Sequence, residues 1–147
     1  MKTGIFVGTF DPFTIGHASI VRRALPLFDQ LVIGVVGDNV HKPGMRPAEE
    51  RISAIRRLYD GQDNISVEPF YGLAVDFARQ HGAQFIVKGV RSVKDFEYER
   101  EQADINRETG GIETILLYAE PHLASISSTV VRELSHFGQD VSKYLPR

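Results

Sequence analysis

Ile5-Phe6-Val7-Gly8-Thr9-Phe10-Asp11-Pro12-Phe13-Thr14-Ile15-Gly16-His17 is the stretch on which the fold turns. It begins as a short apolar strand, bends through Gly-Thr-Phe-Asp-Pro, and enters a helix. Ile20, Val21, Ala24 and Phe28 recur at helical spacing, so that helix is expected over about 16–28. The alternation then repeats. Residues 31–36, Leu-Val-Ile-Gly-Val-Val, form a continuous apolar run, as a parallel strand covered on both faces requires. After a polar loop at 37–46, Pro47 stands at a helix start, with Ala48, Ile52, Ile55 and Tyr59 as its apolar stripe. Short strands are expected at 65–68, 85–88 and 114–118, and helices at 73–81, from Ser92 to about 107, and at 127–137. Strands alternating with helices make this an α/β chain: a Rossmann-like single domain with a five-stranded parallel sheet and helices on both faces. Ligands of such sheets bind beyond the carboxyl ends of the strands, where the informative residues should lie.

The bulk numbers narrow the function. A chain of 147 residues, 42% hydrophobic and 24% charged, suits one domain with a real core. The net charge of -2 lacks the basic excess of a nucleic-acid binder. With no cysteine, disulfides, thiolate chemistry and Cys-ligated zinc are excluded. No apolar run approaches membrane-spanning length and no signal peptide is read at the start, so a cytoplasmic protein is expected, with no membrane partner.

Three stretches carry candidate chemistry. In the first, Gly8 allows a sharp turn, Thr9 offers a hydroxyl, and Gly16 and His17 sit at a helix start, whose free N–H groups and dipole favour anions. That positive end should lower the pKa of His17, leaving a neutral imidazole able to donate one N–H to a phosphate oxygen. By itself this stretch also reads as a turn followed by a packed core histidine, because His17 shares a stripe with Ile20, Val21 and Ala24. In the second, Ile126-Ser127-Ser128-Thr129-Val130-Val131-Arg132 opens the last helix with successive hydroxyls and a cation one turn on. That is a phosphate cradle or an ordinary helix cap. In the third, Lys88-Gly89-Val90-Arg91 places a strand-end glycine between cations, suited to anions. The helix beyond it is polar nearly all round, and Glu99 falls on the stripe of Phe96 and Ala103. Such a helix bridges solvent, a site or a subunit contact.

Together the stretches resemble the nucleotidyltransferase superfamily. Thr14-Ile15-Gly16-His17 is similar to its Thr/His-x-Gly-His signature, and Ile126 to Arg132 match its Ile-Ser-Ser-Thr-x-x-Arg signature. The run from Lys88 to Glu99, ending Asp95-Phe96-Glu97-Tyr98-Glu99, resembles the motif that sets the phosphopantetheine adenylyltransferase branch apart. The resemblance spans essentially the whole chain and implies one nucleotidyltransferase domain over 1–147. It implies that His17 and Thr9 stabilise the transferring phosphate. ATP would then contact Thr9, Phe10, His17, Gly89, Val90, Arg91, Glu99, Leu123, Ala124, Ser125, Ile126, Ser127, Ser128 and Thr129. The acceptor, 4′-phosphopantetheine, would contact Thr9, Ala74, Lys88 and either His41 or Lys42. Two departures stand out. Lys88 replaces the usual Arg, losing its planar fork. The run His41-Lys42-Pro43 stands where the family has Lys-Lys-Pro, and which of His41 and Lys42 holds the acceptor stays open.

The implied reaction is direct. The acceptor phosphate is already an anion, attacks the α-phosphorus of ATP in line, and expels pyrophosphate, so catalysis reduces to positioning and charge stabilisation. Arg91 and residues 127–129 would hold the departing phosphates. Mg²⁺ should accompany ATP through phosphate and water, with no protein metal site. The resemblance also implies a homohexamer, for which the polar helix beyond Ser92 is the one hint in the chain itself. Two alternatives remain at this level: a sister enzyme with another acceptor, such as nicotinamide mononucleotide, and a nucleotide-binding protein without turnover.

Overall fold

The computed structural model describes residues 1–37 and 45–147. His41 and Lys42 lie outside the described residues. Five strands, β1 (Thr3–Gly8), β2 (Gln30–Val36), β3 (Ile65–Phe70), β4 (Phe85–Val90) and β5 (Glu113–Tyr118), form one sheet in the order β3-β2-β1-β4-β5. Every pairing is parallel, as expected. The helices between them are α1 (Ile15–Ala24), α2 (Ala48–Leu58), α3 (Ala74–Gln80) and α4 (Val93–Gly110), and α5 (Ser128–His136) follows the sheet.

Strand residues alternate between two cores because successive side chains point to opposite faces. Phe6, Leu31, Ile33, Val35, Ile65, Val67 and Val87 pack with Ile20, Val21 and Ala24 of α1 and Ile52 and Ile55 of α2. Ile5, Val7, Val32 and Ile86 pack with Val75, Phe77 and Ala78 of α3 on the other side. The sheet is thus covered on both faces. Its chain order departs from β1 toward β3 on one side and toward β5 on the other. The switch point lies between β1 and β4, where such folds open a crevice.

The boundaries differ from expectation in physically simple ways. The first helix ends at Ala24, not Phe28, because Pro26 cannot supply an N–H to continue it; a 3-10 turn at Leu25–Leu27 follows. Phe28 still reaches the core. α4 runs to Gly110, three residues past the expected end, until Gly111 closes it at φ 68, a conformation glycine adopts freely. Among its residues none is buried. Among the described residues no helix is long and apolar enough to cross a membrane.

Candidate active site

A cleft of about 330 Å³ opens at the carboxyl ends of β1 and β4. That is the lower part of the range of small-molecule sites, roughly 300–1,000 Å³. One wall is the turn from β1 into α1. Thr14 caps α1: its side chain accepts from the His17 N–H, and its own backbone N–H donates to His17 Nδ1 at 2.9 Å. Nδ1 can accept only if it is bare, so the neutral ring carries its proton on Nε2. The ring is packed among Phe10, Phe13 and Phe6, with centroids 5.0, 5.2 and 6.3 Å away. This burial pushes the His17 pKa down to about 4, with the Arg91 charge adding to the effect. The expected direction holds. Its cause is mainly apolar enclosure rather than the helix dipole.

The second wall is the entry to α5. Its hydroxyls are less free than their spacing suggests. Ser127 caps the helix by accepting from Val130 N–H at 3.1 Å, and Ser128 Oγ donates to the Pro12 carbonyl at 2.7 Å. Thr129 Oγ1 accepts from Arg132 Nη2 at 3.3 Å. Arg132 itself donates to the Asp11 carbonyl at 2.6 Å and does not line the cleft. The positive charge read from its sequence position is spent on holding the first loop. What this wall offers an anion is the N–H groups of the first turn and the remaining hydroxyl protons of Ser127 and Thr129.

The third wall joins β4 to α4. Ser92 caps α4 as expected, accepting from Asp95 N–H at 3.2 Å. Lys88 Nζ lies 3.5 Å from Glu99 Oε2, and Arg91 Nε lies 3.4 Å from Asp95 Oδ2. Glu99 falls on an apolar stripe because that side of α4 faces the cleft. Gly89 lies between the two cations, where a Cβ would come within 3.0 Å of the Ile20 side chain. A larger residue there would press on the Ile20 side chain.

Residues 5–134 match the family model described as cytidylyltransferase-like. The phosphopantetheine adenylyltransferase of Bacteroides fragilis is 53% identical over 147 residues, covering 100% of this chain and 97% of that relative. The chain belongs to the phosphopantetheine adenylyltransferases. The enzyme of that name from Phocaeicola vulgatus is 54% identical over 146 residues, covering 99% of this chain and 96% of its own. A solved bifunctional NMN adenylyltransferase/ADP ribose pyrophosphatase from Francisella tularensis shares the fold alone, with a TM-score of 0.72 at 18% identity over 98% of this chain and 44% of that one.

Of the residues the family resemblance points to, Thr9, Phe10, His17, Lys88, Gly89, Arg91, Glu99, Leu123, Ile126, Ser127, Ser128 and Thr129 line the cleft. Val90 is buried and does not line it; its carbonyl accepts from the Ala119 N–H. Ala124 and the exposed Ser125 also stand outside the lining, as does Ala74, the first residue of α3, which packs on the second core. The structure adds Ala119, just past β5, and Asp95. Position after a strand was the available signal for Ala119. It also shows that Ser19 of α1 donates to Glu120 at 2.7 Å, tying the segment that leads to α5 back to α1. That bond holds the Glu120 carboxyl below its ordinary range, and Arg22 strengthens the effect.

Proposed function

We propose that this chain transfers the adenylyl group of ATP to 4′-phosphopantetheine, giving dephospho-coenzyme A and pyrophosphate. The observation that carries the chemistry is the bond from Thr14 N–H to His17 Nδ1, which leaves an Nε2 proton on a neutral imidazole in the cleft. Full-length relatives at about half identity, both named for this reaction, support the acceptor.

An oxygen of the acceptor phosphate forms a bond to the α-phosphorus, the bond to the bridging oxygen breaks, and pyrophosphate leaves. No enzyme base is required. His17 Nε2–H and the Thr9 hydroxyl donate to the non-bridging oxygens as charge gathers there. Lys88, with His41 or Lys42, holds the attacking phosphate. Arg91 and the N-terminal turn of α5 hold the departing one. Lys88 and Arg91 face Glu99 and Asp95, so incoming phosphates would replace carboxylates as their partners. Among the described residues no cluster of three or more His, Asp or Glu is placed to hold a metal ion, and the two cleft carboxylates face cations. A Mg²⁺ accompanying ATP would neutralise phosphate charge.

The same reading places the protein in the cytoplasm as a homohexamer. Val93, Phe96, Tyr98 and Ile105 leave apolar surface exposed on α4, which has no buried residue to pay for its length. Light scattering tests that assembly.

The activity test supplies ATP, Mg²⁺ and 4′-phosphopantetheine and follows both products. Native protein is expected to release pyrophosphate and dephospho-coenzyme A together. His17→Ala should lose about a hundredfold in kcat, the usual worth of one preorganised donor. Pyrophosphate released with nicotinamide mononucleotide, and none with 4′-phosphopantetheine, would overturn the acceptor. Silence with both would overturn turnover itself.

A further inference from the structure

Arg51 is a cation on the apolar stripe of α2, beside Ala48, Ile52 and Ile55, and it is 0% exposed. It does not line the cleft. Its Nη1 donates to the Thr9 carbonyl at 2.8 Å and to the Val36 carbonyl at 2.7 Å, and its Nε donates to the Arg46 carbonyl at 2.8 Å. Thr9 follows β1, Val36 ends β2, and Arg46 precedes α2. Three chain segments therefore converge on one planar guanidinium, a geometry the single ammonium of lysine cannot reproduce.

The consequence for the cleft follows from peptide geometry. In a trans peptide the carbonyl and the N–H point in opposite directions. The Thr9 carbonyl is turned to buried Arg51, so the Phe10 N–H is turned the other way, toward the cleft that Thr9 and Phe10 both line. Phe10 sits at φ 54, uncommon for a bulky residue and kept only where the surroundings over-determine it. The surroundings do so here. The Phe10 ring is buried against Phe6 and Phe13, and the next two carbonyls, of Asp11 and Pro12, are taken by Arg132 and Ser128. A second fastening joins the same corner: Arg46 Nε meets the buried Asp11 carboxylate at 2.8 Å.

We propose that Arg51 is a positioning residue for adenylyl transfer: by drawing the Thr9 carbonyl into the core and joining it to Val36 and Arg46, it aims the Phe10 N–H at the reacting phosphate. It also ties that turn to the end of β2. The inference rests on the adenylyl-transfer reading above. A preorganised N–H of this kind acts on charge that develops in the transition state, so its loss falls on kcat more than on ATP binding.

Two measurements test it, beginning with turnover by the native protein, whose absence would condemn the functional reading rather than this inference. Arg51→Lys, assayed well below its own thermal midpoint, is expected to lose roughly tenfold to a hundredfold in kcat while its ATP Kd stays within about threefold. Combined with His17→Ala, the loss should be smaller than the product of the single losses, because the two donors act on the same phosphate. A folded Arg51→Lys with native kcat, or a loss that merely tracks its unfolded fraction, would overturn the proposal. The second measurement needs no variant and stands even if Arg51→Lys fails to fold. On binding an α,β-methylene analogue of ATP, the Phe10 amide proton of the native protein should shift downfield and gain protection from exchange. A Phe10 amide left unmoved by the bound analogue would overturn the proposal as well.

Discussion

The β1–α1 corner and the α4 wall face the same cleft but are built differently. At the corner, Phe10 and Phe13 are buried, His17 is wedged between them, and backbone carbonyls are held by Arg51, Arg132 and Ser128. Along α4 no residue is buried, and the polar groups meet as ion pairs, Lys88 with Glu99 and Arg91 with Asp95. The first wall is fixed before any ligand arrives, as groups that stabilise a transition state must be. The second can exchange its internal carboxylates for phosphate. Under the proposed reaction, burial would separate the wall that stabilises the reacting phosphate from the wall that exchanges its ionic partners.

Several experiments would break or sharpen this contrast. The largest effect is expected from Phe13→Ala, which empties a buried aromatic site beside His17 and should cost about 3–5 kcal/mol of unfolding free energy. Denaturant titration measures it, and a cost near zero would mean the corner is not rigid.

Acid should act on the same corner. The unfolded chain takes up a proton at His17 as pH falls through 6.5, whereas the folded chain resists until about pH 4. Stability from this group is therefore complete above 6.5 and declines as pH falls toward 4, by on the order of 3 kcal/mol. His17→Ala should abolish that part of the decline, while kcat of the native enzyme should show no inflection from His17 between roughly pH 5 and 8.

On the α4 side the effects should be smaller and should concern ligands. Lys88→Arg restores a planar fork and is expected to lower the acceptor KM by about threefold, with the ATP KM little changed. Smallest of all, Phe96→Ala, 41% exposed, should leave the stability of the isolated chain within about 0.5 kcal/mol. If α4 carries the assembly, the same variant will shift the mass seen by light scattering. A stability cost at Phe96 as large as that at Phe13 would erase the contrast.

Residue spacing announced much of this molecule. Apolar runs and helical stripes placed five strands and five main helices, because those periods reflect which faces meet a core within a few residues. The caps at Ser92 and Ser127 were legible for the same reason: donor and acceptor are three positions apart. The first helix ends before Pro26, although the apolar stripe continues to Phe28. Most motif residues do line the cleft, but sequence position could not say which way each points. Val90 turns into the interior and Arg132 turns to the Asp11 carbonyl.

What the sequence by itself determined is the order of strands and helices, the caps, and the three motifs placed after strands, since each depends on short-range spacing. Tertiary structure alone decided that Arg51 would tie together Thr9, Val36 and Arg46, and that the Glu120 carboxylate would take a bond from Ser19. Tertiary structure also decided that aromatic enclosure, more than a helix end, would keep His17 neutral. These outcomes join groups as many as 101 positions apart, and a buried polar group takes whichever partner the fold brings within hydrogen-bond reach.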